Sequence, residues 1–118
     1  MKHITGHVTE RHTSVYAVDE PVYGAHHIYQ VRNSVDGSKE ALTEVFFQIG
    51  PIKESGVNGC HNEDLLAMVI DRLEDFQMTE FSCRENAIAI SKLEEALMWL
   101  GKRTQRRINR GVEGTHNV

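Results

Sequence analysis

Five basic residues lie within nine positions near the end of the chain: Lys102, Arg103, Arg106, Arg107 and Arg110. If this segment is helical, the four arginines lie close to one face, because residues three and four apart are neighbours on a helix. A guanidinium group binds phosphate through two parallel N–H donors, so such a row suits a pyrophosphate or a cyclic phosphodiester. The alternative is that these residues interact with the helix dipole and are otherwise solvated. The row alone leaves both interpretations open.

A nucleotide pocket also needs an aromatic side chain that stacks on the base and an amide that hydrogen-bonds to it. Phe76 and Asn86 are the candidates, because one ends a predicted helix and the other lies one turn into the next. Their structural alternatives are a core phenylalanine and a surface asparagine. Spacing alone favours those alternatives.

The spacing of the other reactive side chains is not typical of an enzyme or of a metal centre. His26 and His27 are adjacent in a predicted strand and would point to opposite faces, which does not suit one metal ion. Cys60 and His61 are distant in sequence from His116, and the helical carboxylates lack the ExxH spacing of di-iron proteins. We therefore expect no catalytic residue, no metal and no cofactor.

Charge is unevenly distributed along the 118 residues. The net charge is −4, yet residues 63–95 hold nine acidic and three basic residues, whereas residues 101–118 hold five basic residues and one acidic residue. A protein that binds long nucleic acid is usually basic overall. The pattern favours instead a local site for a small, highly charged ligand.

Length and composition are those of one small globular domain. We expect a single domain over residues 1–118, with a strand-rich segment at 1–55 and a helical hairpin with a C-terminal tail at 60–118. No apolar run approaches the roughly 20 residues that span a bilayer, and the first residues lack the apolar segment of a secretory signal. These features predict a cytoplasmic protein that does not contact membranes.

Strand patterns occupy the first half of the chain. Residues 1–18 alternate weakly and predict two short strands. Residues 26–32 and 42–49 form a clearer pair, joined by a segment in which Asp36-Gly37 favours a turn. Residues 52–59 are rich in glycine and polar side chains and predict a loop.

Two helices with apolar stripes follow. The first is predicted to begin with Asn62 as its N-cap and to end near Gln77. Ser82 and Glu85 have the spacing of a capping box at the start of the second. Seven apolar residues of the second helix form a stripe that is expected to be buried: Ala89, Ile90, Leu93, Ala96, Leu97, Trp99 and Leu100. The fold class is therefore α+β, with a small N-terminal antiparallel β-sheet followed by an antiparallel two-helix hairpin.

The C-terminal half also resembles a known family. The run LEEALMWLGKRTQRRINRGVEGTH, at residues 93–116, is similar to the helical hairpin shared by phage anti-Thoeris and anti-CBASS proteins, and the resemblance extends back to about Asn62. The strand-rich segment before it resembles the anti-Thoeris branch. The resemblance implies a phage protein without enzymatic activity. Such a protein would sequester glycocyclic ADP-ribose signals, made by bacterial TIR-domain enzymes, in the cytoplasm of the host.

The resemblance also implies roles for individual residues. Phe76 would stack on the adenine, Asn86 would hydrogen-bond to the ligand, and Arg103 and Arg107 would hold the phosphates. Arg84 would contact cyclic di- or trinucleotides at a second site between subunits. The family forms homo-oligomers, with dimers that build hexamers, and the GVEGTHNV tail would lie over a neighbouring subunit's pocket.

Two alternatives stay open beside this interpretation. The chain could hydrolyse the same nucleotides, although it lacks a convincing nucleophile or metal cluster in its sequence. It could also be a nucleic-acid-binding or scaffold protein that uses the arginine row on phosphate backbones.

Overall fold

The computed structural model describes residues 1–7 and 10–118. Val8, which belongs to the weakly alternating region, and Thr9 lie outside the described residues. Contacts divide the chain into two compact units, Met1–Cys60 and His61–Val118. The first is a sheet and the second contains two packed helices, which confirms the α+β class.

The first unit is built on four antiparallel strands in the order of the sequence: β1 (Lys2–Ile4), β2 (Thr13–Ala17), β3 (Ile28–Asn33) and β4 (Ala41–Phe46). The two short strands and the clearer pair predicted from the alternation are thereby confirmed. Both strands of the clearer pair are shorter than predicted. Each strand therefore pairs with its neighbour in sequence, and the unit consists of local hairpins.

Little of this sheet is buried. Ala17 is fully buried and Ser14 is 6% exposed. No other residue that the structure describes is buried to this extent. Aromatic contacts provide further packing, since the Tyr16 ring stacks on His3 and lies 4.8 Å from the guanidinium carbon of Arg32. The sheet is therefore held by its ladder of hydrogen bonds and by surface contacts more than by a large core.

The connection from β2 to β3 is organised by Asp19. Its carboxylate accepts hydrogen bonds from the backbone N–H groups of His27 and Ile28, at 2.9 and 3.2 Å. Desolvation raises the pKa of Asp19, but these bonds and the nearby His26 ring outweigh it and leave the pKa below its usual value.

The prediction that His26 and His27 lie in a strand was wrong. Both precede β3, and their rings hydrogen-bond to backbone carbonyls of this connection, with His26 bound to Asp19 at 2.8 Å and His27 bound to Val22 at 2.6 Å. The pair therefore helps to fix a loop, because each ring hydrogen-bonds to a backbone carbonyl of the same connection.

The segment after β4 was predicted to be a loop, but it contains one helical turn, α1 (Ile52–Ser55). Asn58 closes this segment by exchanging two hydrogen bonds with the backbone of Ile49, at 2.8 and 2.7 Å. Gly59 packs so closely that an added Cβ would lie 2.5 Å from the carbonyl of Phe47. A glycine is needed there because no side chain fits.

The second unit consists of α2 (Asn62–Gln77) and α3 (Arg84–Asn109). The two helices pack on each other and are joined by six residues, which gives the predicted antiparallel hairpin. Both predicted N-caps were wrong by one residue. The caps are His61 and Cys83, so Asn62 and Arg84 are the first helical residues. At α2 the carboxylate of Asp64 accepts from the His61 N–H at 2.8 Å and provides the local stabilisation that Asn62 was expected to give.

Neither long helix contains a buried residue, although both are described in full. Large apolar side chains remain exposed on both helices, including Met68 (62%), Val69 (47%) and Met98 (60%). Among the residues that the structure describes, no helix is both long and apolar enough to cross a membrane.

Candidate functional site

The basic row lines a groove of about 420 Å³ along the last turns of α3. Seven residues form its walls: Trp99, Lys102, Arg103, Arg106, Arg107, Arg110 and Val118. All five cations of the row therefore face one concave surface.

The groove exists because α3 is longer than α2. The helices have 26 and 16 residues, and at 1.5 Å per residue they extend over about 39 and 24 Å. Since the two start from a common short turn, the last ten or so residues of α3 extend beyond the end of α2. Those turns have no helical partner, so their side chains stay open to ligands.

Trp99 shows the effect of this difference in length. It was expected to be buried in the apolar stripe, but 56% of it is exposed and its ring lines the groove. Its predicted neighbours in the stripe, among them Leu93 and Leu97, are half-buried. Lys102 lies over the indole ring, with its Nζ 5.0 Å from the ring centroid. The groove thus has an aromatic wall that stripe spacing did not reveal.

None of the five cations of the groove has an anionic partner among the described residues. Among the described residues, the ion pairs within 4.0 Å all involve histidines of other segments. Arg103, Arg106 and Arg110 are exposed. Their guanidinium groups make no hydrogen bond to any residue that the structure describes. Repulsion between like charges at this spacing is therefore uncompensated, which favours binding of an anion.

Arg107 differs from its neighbours. It is half-buried, and its guanidinium group donates hydrogen bonds to the backbone carbonyls of Val112, Thr115 and Asn117, at 3.0, 3.1 and 2.6 Å. Of the two arginines expected to hold phosphates, Arg103 is thus free to do so, whereas Arg107 is largely engaged with the tail.

Phe76 lies at the other, closed end of the hairpin, in the last turn of α2. Its ring is half-buried, with the edge-on ring of Phe81 at 6.4 Å and the guanidinium carbon of Arg72 at 5.3 Å. The face of the Phe76 ring therefore already holds a planar cationic group, the Arg72 guanidinium, through a cation–π contact.

Asn86 and Arg84 are at the same closed end, in the first turn of α3. The connection between the helices is closed by the amide of Gln77, which accepts from the Cys83 N–H and donates to the Cys83 carbonyl, each at 3.0 Å. Neither Asn86 nor Arg84 makes a side-chain hydrogen bond within the described residues. Both side chains are thus available to a ligand.

Within one chain, the two halves of the expected site are far apart. Asn86 and Arg103 are separated by 17 positions on α3, which corresponds to about 26 Å along a helix. The structure brings Phe76 and Asn86 to one end of the hairpin and Arg103 and Arg107 to the other.

Comparison with known proteins identifies relatives of the hairpin. The profile of the Acb2/Tad1 hairpin domain matches residues 39–105, more than half of the chain. A protein of Bacillus phage SBSphiJ7 named Thoeris anti-defense 1 is 68% identical over 75 residues, which cover 64% of this chain and 53% of the phage protein. The chain therefore spans about half the length of that curated relative.

Proposed function

Because the chain belongs to the Acb2/Tad1 hairpin-domain family, we propose that it is a phage anti-defence protein that sequesters nucleotide immune signals. The ligand is of the glycocyclic ADP-ribose class, made by TIR-domain enzymes of the Thoeris system, and it is bound without being cleaved. The protein acts by mass action in the cytoplasm of the infected bacterium. The observation that carries the proposal is the groove on α3, where exposed cations without anionic partners line one concave surface.

The groove suits the pyrophosphate of such a ligand. Arg103 offers a free guanidinium fork, and a charge-assisted hydrogen bond to phosphate is worth about 1.5–3 kcal/mol. The neighbouring cations, including Arg107, raise the local positive potential. Trp99 supplies an apolar wall against which a ribose or base can pack.

The closed end of the hairpin suits the adenine. Phe76 offers a ring on which the base stacks, and the Asn86 amide both donates and accepts hydrogen bonds at the edge of the base. Stacking and edge contacts of this kind distinguish a nucleotide from a simple phosphate anion. Phe76, Asn86 and Arg103 are accordingly the proposed contact residues, and Arg107 contributes its charge to the same groove.

Two chains must combine to assemble this site, since its halves lie about 26 Å apart in one chain. An antiparallel pair of hairpins places the closed end of one chain beside the groove of its partner, and two-fold symmetry then produces two identical sites. The exposed apolar side chains of both helices, among them Met68, Val69 and Met98, supply the contact surface for such a dimer. We propose that such dimers associate further into hexamers.

Arg84 belongs to a second proposed site, for cyclic di- or trinucleotides between subunits. It is exposed at the start of α3, where the helix dipole also favours an anion. Arg84→Ala is expected to remove binding of cyclic dinucleotides and to leave the affinity for glycocyclic ADP-ribose unchanged. Loss of both affinities together would contradict separate sites.

Calorimetric titration with glycocyclic ADP-ribose, followed by heating of the complex and analysis of the released nucleotide, tests the function. Saturation with a dissociation constant below about 1 μM and recovery of unaltered nucleotide are expected. A changed nucleotide would make the protein a hydrolase. If the nucleotide does not bind and duplex DNA binds with a steep dependence on salt, the protein is a nucleic-acid-binding protein instead.

A further inference from the structure

The last helix ends in a way that turns the chain back on itself. Gly111 has a φ of 72°, its N–H donates to the carbonyl of Ile108, and the N–H of Val112 donates to the carbonyl of Arg107. These two bonds define a Schellman motif, in which a residue with positive φ follows the helix cap. Glycine satisfies this conformation without steric cost, so the tail reverses direction at Gly111.

A second turn shapes the tail after this reversal. Gly114 has a φ of 76°, and the Thr115 N–H donates to the Val112 carbonyl at 3.1 Å, as in a type II turn with glycine at its third position. The Thr115 hydroxyl donates to the same carbonyl and accepts from the Asn117 N–H at 3.2 Å. Residues 112–117 thus form a short, internally hydrogen-bonded unit.

Arg107 joins this unit to the helix. Its Nη2 donates to the carbonyls of both Val112 and Thr115, and its Nη1 donates to the carbonyl of Asn117. A guanidinium group has two edges that grip phosphate with paired donors, and both edges include Nη2. Since Nη2 already donates to two carbonyls of the tail, neither of these edges is free for a phosphate.

We propose that Arg107 is a positioning residue, which fixes residues 112–117 and thereby places Val118 at the groove, and that its effect on ligand binding passes mainly through this tail. Val118, which follows the anchored segment, lines the groove beside Trp99 and the free arginines. The tail therefore narrows the groove in which the phosphates would bind. The part of this inference that concerns nucleotides depends on the proposed function, whereas the anchoring of the tail does not.

Hydrogen exchange of the backbone amides tests the anchor without any nucleotide. The N–H groups of Thr115 and Asn117 are expected to exchange at least about tenfold faster in Arg107→Ala than in the unaltered chain, because three hydrogen bonds that hold the tail are lost. Arg107→Lys should have a similar effect, since an ammonium group cannot serve three carbonyls in one plane. Arg103→Ala is the matched control and should leave tail exchange unchanged. Equal exchange in Arg107→Ala and Arg103→Ala would overturn the anchor.

A double-mutant cycle with glycocyclic ADP-ribose tests the route through the tail. Gly114→Val breaks the second turn, because a β-branched residue does not adopt a φ of 76°. Adding Arg107→Ala to the Gly114→Val protein should weaken nucleotide binding by less than about twofold. Adding Arg103→Ala to the same protein should weaken binding as much as it does in the unaltered chain. A full additional loss from Arg107→Ala would mean that the residue grips the phosphate directly. If none of these proteins binds the nucleotide, the proposed function fails and hydrogen exchange alone decides the role of Arg107.

Discussion

The two ends of the helical hairpin differ in the kind of group that each leaves available. The closed end, around Phe76 and Asn86, offers an aromatic ring and an amide next to a turn held by Gln77. The open end, where α3 extends beyond α2, offers exposed cations without anionic partners. The ends thus carry different parts of the chemistry that a nucleotide requires, and under the proposed function a single chain is an incomplete site.

Arg103→Ala tests the open end and should have the largest effect. Removal of one charge-assisted phosphate contact, worth about 1.5–3 kcal/mol, weakens binding of glycocyclic ADP-ribose by about 10- to 150-fold and reduces its dependence on salt. Calorimetry at two salt concentrations measures both effects. Lys92→Ala removes a cation from α3 outside the groove and serves as control. An equal loss in both variants would show that general charge, and not the groove, attracts the ligand.

Phe76→Ala tests the closed end. Loss of a base stack worth about 1–3 kcal/mol weakens binding by about 5- to 150-fold, with an unchanged dependence on salt. Phe46→Ala removes an exposed aromatic ring of β4 and should leave the affinity unchanged. Circular dichroism should show that both variants retain their helix content. Unaltered affinity in Phe76→Ala, and likewise in Asn86→Ala, would remove the closed end from the site.

Trp99→Ala sharpens the comparison because it removes an aromatic group from the open end. The ring contacts Lys102 and lines the groove, but the proposed base stack is on Phe76. We therefore expect only a few-fold loss of affinity, in line with an exposed cation–π contact worth about 0.5–1 kcal/mol. A loss larger than that of Phe76→Ala would mean that the base stacks at the open end.

Asp19→Asn, in the sheet unit, should have the smallest effect of these substitutions. Because its pKa in the folded chain is lowered, its contribution to stability is complete above the unfolded pKa of about 3.9 and is lost as the pH falls through the folded value. Asp19→Asn should remove this component of the acid dependence of the free energy of unfolding. Denaturant titrations between about pH 5 and pH 2, the range of this transition, measure it. Identical acid dependence in both proteins would contradict it.

The strand pair and the helical hairpin could be predicted from sequence because their signals are local. Alternation and the Asp36-Gly37 turn indicated β3 and β4, and apolar spacing indicated α2 and α3. The starts of α2 and α3 and the bounds of β3 and β4 depended on a cap or a pairing partner, and these predictions were wrong by one or more residues. The Asp19 loop shows the reason, since its histidines bind carbonyls that a side-chain pattern does not reveal.

The arrangement of the site was less predictable because it depends on relative lengths and on the backbone. Trp99 fits the apolar period, and its exposure follows only from the greater length of α3. Arg107 resembles Arg103 in sequence, but its partners are backbone carbonyls. Gly111 and Gly114 were the available signal, because glycines after a basic helix end favour a reversal that brings a tail within reach.

Complementation between two defective chains tests the central claim most directly. Co-expression of Phe76→Ala and Arg103→Ala chains with different tags, and purification through both tags, isolates the mixed dimer. One of its two sites then combines both defects and the other has neither, so titration should show wild-type affinity at about one ligand per two chains. A mixed dimer that binds no better than either variant alone would contradict a site shared between the closed end of one chain and the groove of another.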